Sequence, residues 1–131
     1  MTSDRDRYGR AALHYAVLDG RTADVEQLLN DGADPNVADK EGQTPLHFAA
    51  QEYRPAEAAL LCSAGAAVDV CDKHGNSPLF RATFDSRGRA DVILILLGNG
   101  ANADLANKSG VTPRQLAERI SNYDVLRFFG V

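Results

Sequence analysis

Short apolar clusters alternate along the chain with glycine-marked turns, and the alternation has a fixed period. Gly9, Gly42 and Gly75 are 33 residues apart, and Gly110 follows 35 later. A second series, Gly32, Gly65 and Gly100, repeats with spacings of 33 and 35. Between the two series, Leu13-His14, Leu46-His47 and Leu79-Phe80 fall in register. Ala16, Ala49 and Ala82 do so too, and Ala117 keeps the longer offset. A unit of this length with an apolar cluster on either side of a turn cannot bury its apolar face alone. Stacked neighbours must cover it, so the period predicts a helical repeat array.

Local signals place the elements. Thr44, Ser77 and Thr112 each precede a proline, at Pro45, Pro78 and Pro113. A hydroxyl at the N-cap followed by proline in the first helical position opens a helix, because that position needs no N–H. Ala49, Ala50 and Ala82 are small enough to let this first helix lie close to its neighbour. A second helix carries Leu28-Leu29, Leu60-Leu61 and Leu96-Leu97, and Gly32, Gly65 and Gly100 end it as left-handed caps. The segment from each of those glycines to the next Asp-x-x-Gly predicts an extended turn.

The residues that carry the period resemble the ankyrin repeat family. Asp39-Lys40-Glu41-Gly42-Gln43-Thr44-Pro45-Leu46-His47-Phe48-Ala49-Ala50 is a near-complete ankyrin signature. Gly32-Ala33-Asp34-Pro35-Asn36 and Gly100-Ala101-Asn102-Ala103-Asp104 match the segment that ends each repeat. The resemblance runs from about Asp6 to Phe129. It departs at Ala11-Ala12, where Thr-Pro is usual, and at Arg114-Gln115, where Leu-His is usual. It implies an all-α ankyrin solenoid of four helix-turn-helix repeats joined by β-hairpin fingers. One domain over residues 1–131 is expected, with repeats at about 6–38, 39–71, 72–106 and 107–131.

Composition narrows the function. The chain is 44% hydrophobic and 24% charged, the balance of an ordinary soluble protein. Its longest apolar run, Val92 to Leu97, falls well short of a membrane span. Met1 to Asp6 lacks the apolar core of a secretory leader, so a cytoplasmic site of action is expected. The net charge of −4 argues against nucleic acid as partner. Cys62 and Cys71 form no CxxC pair and read as reduced thiols.

Candidate chemistry is sparse. His14 and His47 could serve as bases, but no nucleophile recurs beside them, and Phe80 fills the same slot in the third repeat. In the family, that histidine hydrogen-bonds backbone and threonine between repeats. Cys71, Asp72 and His74 cluster on one turn without the spacing of a zinc fold. No phosphate-binding GxxxxGK[ST] occurs. Neither catalysis, a metal nor a cofactor is expected.

A binding surface remains. In an ankyrin stack the finger tips and the exposed face of the first helix line one concave groove. In register, the fingers carry Arg7, Lys40, Lys73 and Lys108, with Glu41 and His74 beside them. The end of the first helix carries an acidic column, Asp19, Glu52 and Asp85. Next to it run Leu18, Gln51 and Phe84, and one turn earlier Tyr15, Phe48 and Arg81. Aromatics flanked by aligned charge have the composition of a binding hot spot. Asp85 to Ala90 holds a two-residue insertion that places Arg87 and Arg89 on a widened turn. The expected function is a non-catalytic module, monomeric on its own, that binds and inhibits a protein with a basic surface. The C-terminal stretch Ile120 to Phe129 resembles small bacterial ankyrin proteins, some of which are immunity proteins that neutralise toxins. The alternative is a regulatory inhibitor like the ankyrin inhibitors of cyclin-dependent kinases, or a scaffold subunit.

Overall fold

A computed structural model describes residues 5–120 and 124–130. Met1 to Asp4, on which part of the leader argument rests, lie outside the described residues, as do Ser121 to Tyr123. Seven helices follow in order among the described residues: α1 (Ala12–Leu18), α2 (Thr22–Asn30), α3 (Pro45–Gln51), α4 (Pro55–Ser63), α5 (Pro78–Phe84), α6 (Asp91–Gly98) and α7 (Pro113–Arg119). A 3-10 turn over Leu126–Phe129 ends the array.

The predicted caps form. The hydroxyls of Thr44, Ser77 and Thr112 accept the backbone N–H of His47, Phe80 and Gln115 at 3.4, 3.1 and 3.0 Å. Ala11 offers no oxygen, and α1 starts without a side-chain cap bond. At the end of α2, Gly32 (φ +93°) donates to Leu29 O and Ala33 donates to Leu28 O. This is a Schellman closure, which the left-handed glycine permits. Gly65 and Gly100 close α4 and α6 in the same way.

The odd-numbered helices pack as one layer, α1 on α3 on α5 on α7, and the even-numbered ones as a second, α2 on α4 on α6. Leu13, Leu46, Leu79, Leu61, Leu96 and Ile93 fill the space between them and are at most 2% exposed. At the C-terminal end the 3-10 turn packs on α6 and α7, and Val125 and Phe129 are buried there.

Each finger is built by one side chain. Oδ1 of Asp6, Asp39, Asp72 and Asn107 accepts two backbone N–H groups, from the residues two and four positions on. Adjacent fingers are joined by one backbone bond each: Lys40 N–H to Tyr8 O, Lys73 N–H to Glu41 O and Lys108 N–H to His74 O. A single bond per pair does not make a ladder. No strand is present among the described residues, and each finger is a tight turn closed by its own backbone bonds, such as Asp39 N–H to Gln43 O at 2.9 Å and Gly42 N–H to Asp39 O at 3.0 Å. Close approach adds to the left-handed φ in requiring glycine at positions 9, 42 and 75, whereas a Cβ on Gly110 would meet open space among the described residues. A Cβ on Gly75 (φ +78°) would sit 2.8 Å from the Lys108 amide nitrogen.

Candidate functional site

The odd-numbered layer and the fingers present one continuous face. On it the last turns of α1, α3 and α5 align Leu18, Gln51 and Phe84, with Asp19, Glu52 and Asp85 next to them at the helix ends. Phe84 is 61% exposed, a large apolar side chain that burial does not explain. Asp19 and Glu52 are exposed and Asp85 is half-buried. Asp19 lies 3.7 Å from Arg21, and Asp85 lies 3.8 Å from Arg81. Burial raises the Asp85 carboxyl above its ordinary value; Arg81 opposes that shift and Glu52 adds to it.

Leu18 and Gln51 are half-buried, so Phe84 is the exposed member of its row, and the column one turn earlier is half-buried or buried throughout. Phe48 is 1% exposed, against its expected place in the groove. Its ring meets the His14 ring edge-on at 5.2 Å, and the Arg10 guanidinium covers it at 4.9 Å. Arg10 is held there by Asp39 at 3.5 Å. Tyr15 is half-buried and donates its hydroxyl to the Asp6 carboxylate, so it is tied to the first finger. Arg81 is half-buried beside Asp85, with its guanidinium 5.9 Å from the Phe84 ring. Tyr15 and Phe48 thus pack against the first finger, and Arg81 against the end of its own helix.

Along the rim, Arg7, Lys40, Lys73, Lys108, Glu41 and His74 are all exposed. Lys73 is ion-paired to Glu41, which reduces the net positive character of the rim. Asp72, grouped with Cys71 and His74 in the sequence, is buried and forms the turn of its finger. Among the described residues no three metal-ligating side chains converge.

The two slot histidines join repeats. His47 Nδ1 accepts the Thr44 N–H at 3.1 Å and its Nε2–H donates to Asn76 O at 2.8 Å. His14 accepts from Ala11 N–H at 3.0 Å and donates to Gln43 O at 2.9 Å. An accepting Nδ1 fixes the neutral Nε2–H tautomer. Burial pushes both imidazoles below the ordinary histidine value, against a smaller opposing effect of the carbonyl bond. As pH falls, the unfolded chain is therefore protonated first. Stability should be full above about pH 6.5 and fall below it, by up to about 1.4 kcal/mol per pH unit for each histidine. Urea midpoints at pH 7.5, 6.5 and 5.5 check this, and a flat profile would contradict it.

One column escaped the sequence reading although it keeps the period. Arg21, Arg54 and Arg89 are spaced by 33 and 35. Arg54 reaches back to the preceding unit and donates to Leu18 O at 3.1 Å. A Cβ on Gly20 (φ +68°) would lie 2.8 Å from its Nη1, which explains the glycine. Arg89 reaches back in the same way and lies 4.0 Å over the Tyr53 ring. Arg21, in the first unit, pairs instead with Asp24 at 2.8 Å.

No helix of the described residues is long and apolar enough to cross a membrane. Among curated proteins none matches the sequence. A family model described as ankyrin repeats (3 copies) matches residues 13–107, most of the chain, from within α1 to Asn107 of the last finger. Repeats of this kind mediate binding to other proteins. The chain belongs to the ankyrin repeat family.

Proposed function

We propose that the face formed by the odd-numbered helices and the fingers binds and inhibits a protein that carries a basic surface. The observation that carries this reading is the exposed Phe84, 61% accessible, beside the acidic column of Asp19, Glu52 and Asp85. An exposed aromatic anchor supplies affinity once a partner covers it. Aligned carboxylates at its edge select for positive charge and speed encounter. The module acts as a monomer in the cytoplasm, and Gln51 and Leu18 extend the contact along the row. A toxin or regulatory enzyme with a basic active-site cleft has the matching chemistry, which is the basis for an immunity-type role.

Asp19 and Glu52 are the carboxylates to reverse, because they are exposed whereas Asp85 is half-buried against Arg81. The double variant Asp19→Lys/Glu52→Lys should fold with wild-type stability and lose about 10-fold or more in affinity at low salt, with the difference shrinking as salt rises. Affinity measured at two ionic strengths decides it. Unchanged binding would remove the acidic column from the interface, and retained binding without inhibition would favour a scaffold.

A further inference from the structure

The widened turn of the third repeat is tightly built. Ser86 O accepts the Arg89 N–H at 3.0 Å, closing a turn around Arg87 (φ +52°) and Gly88 (φ +82°). Both central residues are left-handed, as in a type I′ turn, where asparagine, aspartate or glycine is favoured over arginine. Among the described residues only Tyr53 (φ +53°) and Arg87 are non-glycine residues at positive φ. Both belong to this one arrangement.

Tyr53 stands where the first repeat has Gly20, and it is 8% exposed. Its hydroxyl donates to Arg89 O at 2.5 Å and accepts the Val92 N–H at 3.3 Å. Arg89 stacks on its ring and donates Nε to Ser86 O at 2.8 Å and Nη2 to Asp85 O at 3.1 Å. Ser86 is 1% exposed, and its hydroxyl accepts the Gly88 N–H at 3.3 Å. The turn is thus fixed to the second repeat through Tyr53, and Arg89 ties it back to its own start at Ser86 and to Asp85, the C-cap of α5. Arg87 is the residue left outside: exposed, left-handed, and with no hydrogen bond or ion pair among the described residues. Strain maintained by surrounding contacts, with nothing packed on the strained side chain, points to a presented group.

We propose that this turn is a preorganised contact element, clamped by Tyr53 and Arg89, that presents Arg87 to an acidic side chain of the protein bound at the Phe84 face. The proposal rests on the reading of that face given above. It adds a second recognition element of opposite sign, so the partner carries a carboxylate at the border of its basic strip. A guanidinium on a rigid turn meets a carboxylate through two parallel N–H donors with little ordering cost.

The test uses the full chain with a photo-crosslinking benzoylphenylalanine at position 84, expressed in the source cells. The protein captured there is purified and serves as the binding probe for Arg87 variants. Arg87→Gly should weaken its binding about 10-fold, the size of a lost charge-assisted contact. The same variant should melt no lower than wild type, because glycine relieves the left-handed strain. Arg87→Lys should recover part of the affinity. Unchanged affinity in Arg87→Gly overturns the proposal and leaves the Phe84 face standing. Weaker binding accompanied by a lower melting temperature, with no recovery in Arg87→Lys, also overturns it, since the turn is then only structural. No adduct at position 84 contradicts the face itself and the proposal with it.

Discussion

Phe48→Ala is expected to lower the unfolding free energy by about 4 kcal/mol, whereas Phe84→Ala leaves it within about 0.5 kcal/mol. The two phenylalanines sit on corresponding helices, α3 and α5, one helical turn apart in the repeat register. Their surroundings separate them. Phe48 is enclosed by His14 and Arg10, so truncation opens a cavity beneath a guanidinium that Asp39 still holds. Phe84 is 61% exposed and has little burial to lose. Chemical denaturation of the two variants gives both numbers. Equal losses would mean that the packing around Phe48 is not as described.

A second large effect is expected at His47, where leucine should cost about 3 kcal/mol and roughly 10 °C in melting temperature. Leucine preserves bulk but not the two bonds. The Thr44 N–H, in a residue 1% exposed, would lose its acceptor. Asn76 O would keep its bond from the Asp72 N–H and lose the one from the preceding repeat. His14→Leu should cost less, about 1–2 kcal/mol, because Ala11 at the helix start is partly exposed and water can replace the ring nitrogen. Each variant should also flatten the acid side of the stability profile by one histidine's share. Thermal melts at pH 7.5 and 5.5 check both statements, and a cost below about 1 kcal/mol for His47→Leu would contradict the inter-repeat role.

The period made most of the fold legible before any coordinates. Proline and hydroxyl pairs located the first helices, and the second glycine series located the ends of α2, α4 and α6, because each signal acts through backbone bonds a few residues away. Exposure is a different quantity. Phe48 and Phe84 both read as facing outward, and the His14 ring together with the path of Arg10 from the neighbouring finger covers one of them. The arginines at 21, 54 and 89 had the full periodic signal, but Arg54 and Arg89 act on a carbonyl and a ring one repeat away, while Arg21 pairs within its own unit. The replacement of Gly20 by Tyr53 at a left-handed position was equally visible as a departure from the pattern. Its meaning needed the hydroxyl's two partners on the widened turn.

The central claim is that binding takes place on the face carrying Phe84 and not on the outer layer of even-numbered helices. That outer layer offers its own control in Leu94 of α6, an exposed apolar side chain at 49%. The direct measurement is the affinity of the protein recovered with the wild-type chain for Phe84→Ala and for Leu94→Ala. The account predicts a loss of about 30-fold or more for Phe84→Ala, the size of a hot-spot truncation, and wild-type affinity for Leu94→Ala. Undiminished binding by Phe84→Ala, or a loss confined to Leu94→Ala, would contradict it.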